Sequence, residues 1–344
     1  MPAHPTSLRR WTLTAISFAA AIGASVYVVV STWPAGGVAK LPLGVHAAAL
    51  AASLLELLAR GVKLELSARA LGVRIPLRTS LRTILAGDFA AAVTPARTGS
   101  EPARFLVFSE AGVKPAPTII VLFAELVLEM FSLILVALVL ALLFHDAGRA
   151  LGGVLGLVGG YAAFVIGGGS AAAALARRRS SGPPPRWALL VGLNAARWRA
   201  VQRALRQLRS SLSAVRQADR GLLALAYVAS VAHLALRLAV LPALVLIVAP
   251  EVRVAPLLLW PLALFYGGIV APAPGGGGFI EVAFRGVLHG TIPAALFAPA
   301  LIWWRFYTFY LYVLLGALAA GRTALRALRE GDDEADAEDE RAAA

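Results

Sequence analysis

The sequence predicts an all-α integral membrane protein with about six full transmembrane helices plus two re-entrant helical hairpins arranged as an inverted-topology repeat. Three observations carry this expectation. Of 344 residues, 59% are hydrophobic and 15% charged, with mean hydropathy +0.76. Soluble domains hold roughly 45–50% apolar and about 25% charged residues, so the excess is suited to lipid. Several apolar runs reach the roughly 20 residues that a helix needs to cross about 30 Å of hydrocarbon, and basic residues gather on one side of those runs. Cysteine is absent, which excludes disulfides, thiolate metal sites and cysteine nucleophiles. The five histidines are scattered without metal-ligand spacing. No cofactor and no metal are expected. The net charge of +13 divides into −7 over residues 330–344 and +20 elsewhere. Because the bases flank apolar runs, nucleic acid is not an expected partner.

Taken in order, residues 11–33 follow Arg9-Arg10 and form the first span. Their apolar stretch exceeds the ~7–15 residues of a signal-peptide core. Residues 42–58 form the second span and lead into a basic segment of Arg60, Lys63, Arg69, Arg74, Arg78 and Arg82. Residues 118–144 and 151–176 are a pair joined by a short polar turn, and 222–248 and 294–320 complete the six. Two further stretches, 76–112 with TPARTGSEPAR and 256–290 with APAPGGGGFIEVAFR, are apolar but broken by Pro and Gly. Pro removes a backbone donor and Gly lowers helix propensity. Broken backbone survives at membrane depth only inside protein or along a wet cavity, so both are expected to be hairpins.

Positive charge sets the orientation. One side collects 24 bases: Arg9, Arg10, the segment from Arg60 to Arg82, Lys114, eleven arginines from Arg177 to Arg220, and Arg322, Arg326, Arg329 and Arg341. The other side holds Lys40, Arg149 and Arg253. Both termini are therefore expected in the cytoplasm of a multi-pass protein of the cell (inner or plasma) membrane. The count closes if the first hairpin opens from the cytoplasm and the second from outside. Residues 1–329 read as one transmembrane domain, with repeat halves at about 11–176 and 221–322. Between them, Trp198, Val201, Leu205, Leu208, Leu212 and Val215 recur at alternating three and four within a basic amphipathic helix over about 186–216. Such a helix suits an anionic inner leaflet or packs on its own domain. Residues 330–344 are an acidic run expected to be disordered.

The broken stretches resemble each other. Pro95-x-x-x-Gly99-x-Glu101-x-x-Arg104 overlies Pro274-x-x-x-Gly278-x-x-Glu281-x-x-x-Arg285, and Gly112 or Gly290 follows each. Twenty-four residues beyond each Glu lies another ionisable group, Glu125 and Arg305 respectively. Opposed hairpins related in this way are the mark of an inverted repeat with a site between the broken elements.

Ten charges fall where lipid is expected: Asp88, Glu101, Glu125, Glu129, Glu281, Arg97, Arg104, Arg237, Arg285 and Arg305, which sum to zero. Each costs at least ~2.5–3.5 kcal/mol at a bilayer centre, so they are expected to share a polar interior. Glu125 and Glu129 project from one helix face, as do His233 and Arg237. Asp88 and Arg237 read as structural ion pairs. Glu101, Arg104, Glu281 and Arg285, beside helix-breaking glycines, read as head-group contacts. A helix opening after Gly275, Gly276 and Gly278 presents free N–H groups to an anion. Arg305 supplies counter-charge, and Glu125 and Glu129 are candidates for proton or charge coupling.

With TPARTGSEPARFLVFSEAG, FAELVLEMF and PAPGGGGFIEVAF…WWRFY in view, the chain resembles the lysylphosphatidylglycerol synthase transmembrane-region family, a flippase-like family, over about residues 10–322. The resemblance implies a protein that moves lipids between leaflets, as in the flippase half of the multiple peptide resistance factor. It places Glu101 and Arg104 in the first family motif, Gly275, Gly276, Gly278 and Glu281 in the second, and Arg305 in the final span. Two departures stand out. Leu126 follows Glu125 where the family often has Arg, which weakens the expected charge pairing there. Ser100 interrupts the usual Gly-Glu pair. No synthase domain is expected after the last span, and lipid aminoacylation is not expected.

The expected function is translocation of a phospholipid or polyprenyl-linked lipid head group between leaflets through a charged midplane cavity, with no enzyme activity. The alternatives are a membrane-embedded enzyme acting on a polyprenyl-phosphate lipid and a non-catalytic structural or regulatory subunit. Against the first, residues 35–41 hold no acid and Gly276-Gly277-Gly278 replaces the Ser and Arg a diphosphatase would want. Membrane lipids are the expected partners, and the sequence allows a homo-oligomer.

Overall fold

Apolar length sets the frame. Among the described residues, four helices are long and apolar enough to cross a membrane: Leu43–Ala70, Pro115–Leu143, Arg220–Leu246 and Ala294–Ala320. This computed structural model describes residues 19–20, 22–94, 97–177, 198–199, 202, 217–267 and 276–320. In chain order the helices are α1 (Ile22–Ser31), α2 (Leu43–Ala70), α3 (Leu77–Val93), α4 (Ser100–Glu110), α5 (Pro115–Leu143) and α6 (Arg149–Arg177). After the connection come α7 (Arg220–Leu246), α8 (Val254–Gly267), α9 (Phe279–Leu288) and α10 (Ala294–Ala320). No strand occurs among the described residues. The chain is thus an α-helical membrane protein. Most of the amphipathic segment 186–216, all of the tail and the start of the first span lie outside the described residues.

Each Pro/Gly stretch carries two helices. Helices α3 and α4 lie on either side of residues 94–99, and α8 and α9 on either side of residues 268–278. Helix α4 closes on Gly112, whose φ of 76° is open to glycine at no steric cost. The Gly112 and Val113 N–H groups then return to the Ser109 and Phe108 carbonyls, satisfying the orphan acceptors. Pro115 follows at the start of α5, where its missing donor is no loss. Gly278, at φ 75°, turns the chain into α9 in the same economical way.

Helix α2 departs from expectation. The second span was expected to end near residue 58 and the bases from Arg60 to lie outside the membrane. Instead the helix runs unbroken to Ala70. No proline interrupts it, and a glycine turn comes only at Gly72, with φ 77°. At ~1.5 Å per residue its 28 residues span roughly 42 Å. Arg60 and Lys63 therefore sit within the helix, where acids on other helices meet them.

Among the described residues, four apolar clusters hold the helices, the smallest joining α3, α4 and the end of α10 through Ala90, Val107 and Ala320. One joins α7, α8, α9 and α10 through Leu241, Leu257, Phe284 and Trp304. A second joins α5, α6, α7 and α8 through Leu133, Val158, Leu234 and Leu262. The third packs α2, α3, α4 and α5 through Leu64, Ile84, Phe108 and Val121. Outward, Leu138, Leu142, Leu143, Val228 and Leu318 are exposed. That apolar exterior is what a hydrocarbon solvent calls for. Within α10, residues Phe306–Tyr310 form a π turn. Thr308 Oγ1 donates to the Trp304 carbonyl at 2.6 Å, covering a backbone acceptor there.

Candidate functional site

The polar interior is built on α2. Glu56, Arg60 and Lys63 are spaced four and three apart, so the 3.6-residue period places all three on one face. Each meets a different partner. Arg60 forks Asp88 of α3, its two Nη atoms donating to the two carboxylate oxygens at 2.8 and 3.0 Å. Lys63 Nζ donates to Glu129 of α5 at 2.6 Å and stands 3.5 Å from Glu125. Glu56 is wholly buried and lies 3.6 Å from His233 Nδ1 and 3.7 Å from Arg237, both on α7.

Glu129 is the hub. Besides Lys63 it accepts from Tyr266 of α8 at 2.8 Å, and His233 Nε2 lies 2.8 Å from it. Four helices thus meet on one carboxylate. The neighbouring Glu125 accepts from Arg104 of α4, which also reaches Glu101 at 3.2 Å. The charge pairing at Glu125, expected to be weak because Leu126 follows it, is supplied from other helices by Arg104 and Lys63. Gly87 of α3 makes room for this. A Cβ there would fall 2.8 Å from Arg104 Cγ and 2.9 Å from Cδ.

These groups surround a cavity of about 600 Å³ between the first hairpin and α2, α5, α6, α7 and α8. Its lining includes five basic and four acidic side chains. Glu56, just behind the wall, brings the formal sum to zero. The ten charges expected to share one interior do not: Glu281, Arg285 and Arg305 lie away from this lining, and Glu56, Arg60 and Lys63, not among the ten, stand here. Leu122, Phe123, Leu126 and Phe265 complete the wall with apolar surface. Charged and apolar groups on one wall suit a ligand that is itself amphipathic. Arg104 Nε, Arg237 Nε and His233 Nδ1 are buried without hydrogen-bond partners, as are both Glu56 carboxylate oxygens.

The second hairpin is arranged otherwise. Arg305 Nε of α10 donates to Glu281 Oε1 of α9 at 2.8 Å, both side chains about 5% exposed or less. The Arg305 guanidinium lies over Phe309 at 4.5 Å. Arg285 instead donates to Ser31 of α1 at 2.8 Å, and the Gly278 N–H reaches Ser25 at 3.2 Å. Of the sequence-derived head-group residues, Glu101 and Arg104 line the cavity together with Glu125 and Glu129. Gly276, Gly278, Glu281, Arg285 and Arg305 do not, and Gly275 lies outside the described residues. The buried charges therefore form two groups rather than the single pocket expected.

Sequence reading overlooked Glu56, Arg60, Lys63 and Tyr266. The signal for the first three was present: acid, base and base at positions 56, 60 and 63 share a helix face, which bases in a solvated loop need not do. Tyr266 gave no signal of its own. Among the described residues no cluster of His, Asp and Glu has metal-binding geometry.

No curated protein matches this chain. Over residues 14–316 its sequence matches the lysylphosphatidylglycerol synthase TM region, and with helices of membrane-spanning length around a charged interior the chain belongs to that family.

Proposed function

We propose that the protein translocates a lipid head group between leaflets, the head passing through the cavity while the acyl or prenyl tails stay in hydrocarbon. The observation that carries this reading is the charged cavity itself. The side chains in and behind its wall include five acids and five bases with a formal sum of zero, so the chamber offers partners to a polar head without holding a large uncompensated field. Glu101 and Arg104 are the first head-group contacts in this reading. Glu101, with its side chain 63% exposed, takes the mouth, and Arg104 the inside. Glu125 and Glu129 act in charge coupling, with His233 lying between Glu129 and Glu56. The Glu281–Arg305 pair fastens the second hairpin to its span.

The two hairpins support an inverted-repeat reading. In the first half the short helix gives Arg104 and the following span Glu125; in the second the short helix gives Glu281 and the span Arg305. The same clasp recurs with its charges exchanged. In this reading the hairpins open to opposite faces and both termini are cytoplasmic.

In vesicles containing the reconstituted protein, Arg104→Gln should slow movement of a fluorescent phospholipid between leaflets at least tenfold, while Arg69→Gln leaves it unchanged. Equal rates in folded Arg104→Gln protein would overturn the proposal. Gly87→Ala provides a milder version. Its methyl group displaces the Arg104 stem without removing the charge, so a several-fold slower rate is expected with little change in melting temperature.

A further inference from the structure

Not every cation in the cavity is matched. Arg60 holds Asp88 through both oxygens, Lys63 holds Glu129 and Arg104 holds Glu125. Arg97 and Arg237 differ. Among the described residues no carboxylate lies within 4 Å of Arg97, and Asp88, which faces it, already has both oxygens engaged by Arg60. Arg237 comes no closer than 3.7 Å to an acid, and its Nε is buried with no hydrogen-bond partner. Its guanidinium lies over the Phe265 ring at 4.4 Å. Both arginines line the main cavity and also a smaller recess that opens against Thr308 and Phe309 of α10.

The backbone of Arg97 adds a second observation. At φ 60° it is the one non-glycine residue among those described in the left-handed region. A β-carbon is disfavoured there, and glycine would sit without strain. An arginine held in that conformation at the hairpin break is a local conflict of the kind found at ligand sites. Around Asp88 and Glu56 stand Arg60, Arg97 and Arg237, one positive charge more than the acids neutralise. The planar guanidinium fork matches two oxygens of a phosphate.

We propose that Arg97 and Arg237 form a phosphate subsite for a monoanionic phosphodiester or phosphate, the anion taking the donors that no carboxylate fills. This rests on reading the cavity as a head-group chamber and names the chemistry it receives. Phosphate could arrive as part of a lipid head or as the free ion, and the two sources separate experimentally.

The test is calorimetric titration of the purified full chain in nonionic detergent with dihexanoyl phosphatidylglycerol, with dihexanoylglycerol and with inorganic phosphate. The phospholipid should bind, and the phosphate-free dihexanoylglycerol at least tenfold more weakly. Arg97→Gln and Arg237→Gln should each weaken phospholipid binding at least tenfold, and Arg97→Lys, which keeps charge but loses the fork, several-fold. Arg97→Gly is the decisive variant. It relieves the left-handed backbone and should melt no lower than the parent, yet bind at least tenfold more weakly. Inorganic phosphate binding as tightly as the phospholipid, with the same dependence on Arg97, would assign the subsite to the free ion. Unchanged phospholipid affinity in Arg97→Gly and Arg237→Gln, or equal affinity for dihexanoylglycerol, would overturn the subsite. Loss of leaflet exchange is a separate readout: intact phosphate binding in a protein that moves no lipid sinks the translocator reading and spares this one.

Discussion

Replacing Arg305 with Leu is expected to destabilise the protein by about 3–5 kcal/mol, the loss typical of removing one partner from a buried ion pair. Glu281 is 3% exposed and Arg305 4%. Deleting the guanidinium strands a carboxylate among Phe284, Trp304 and the rest of that apolar cluster. Desolvation dominates: the penalty for an unpaired buried carboxylate exceeds what the pair gains over a neutral replacement. Hence Glu281→Gln combined with Arg305→Leu, which leaves no charge, should recover much of the loss and remain within roughly 2 kcal/mol of the parent. The measurement is unfolding in mixed micelles titrated with a denaturing detergent, run as a double-mutant cycle. If the double variant is as unstable as the sum of the singles, the two groups are not coupled and the clasp is an incidental contact.

Much of the fold is legible in the sequence because hydrocarbon imposes a simple rule. A run such as 118–144 has mean hydropathy too high for water and becomes α5 almost residue for residue. Pro and Gly cluster at 95–99 and 272–278, so the separation of α3 from α4 and of α8 from α9 could be read from local chemistry. The site was less legible. Arg60 and Lys63 follow an apolar run, and a base in that position ordinarily marks the exit from the membrane. What keeps them inside is Asp88, 28 residues on, and Glu129, 66 residues on. Local pattern cannot reveal a partner so far along the chain.

The same limit explains why one pocket was expected where two charge groups occur. Counting showed that the ions cancel, and cancellation does not say which ion meets which. Arg104 sits three residues beyond Glu101, yet its stronger partner is Glu125, because the turn at Gly112 folds α4 back along α5. In the second half Arg285 points to α1, leaving Glu281 to meet Arg305. The 24-residue spacings from Glu101 to Glu125 and from Glu281 to Arg305 are visible in the sequence, whereas the pairing of Arg104 with Glu125 and of Arg305 with Glu281 appears only when the helices are packed.

Gly316→Ala should be the most disruptive single-methyl change outside the charged groups. An added Cβ at Gly316 in α10 would lie 2.4 Å from the Leu85 carbonyl oxygen and 2.9 Å from Phe89 Cβ, both on α3. A backbone oxygen cannot rotate aside as a side-chain tip does, so α3 or α10 must move as a body. Overpacking of this kind costs roughly 1–3 kcal/mol, and the upper end is expected against backbone. Gly286→Ala is the internal control. It lies within α9 with nothing inside 4 Å of its added Cβ, and helix propensity alone should leave it neutral or more stable by up to about 1 kcal/mol. The consequence reaches the cavity, because α3 carries Asp88 and Gly87 beside Arg104 while α10 closes the recess through Thr308 and Phe309. Gly316→Ala should therefore lower thermal stability and slow lipid movement together, with Gly286→Ala affecting neither adversely. A Gly316→Ala protein that melts like the parent would show that α3 and α10 do not touch at Leu85, and the wall those helices form around Arg97 and Arg237 would have to be redrawn.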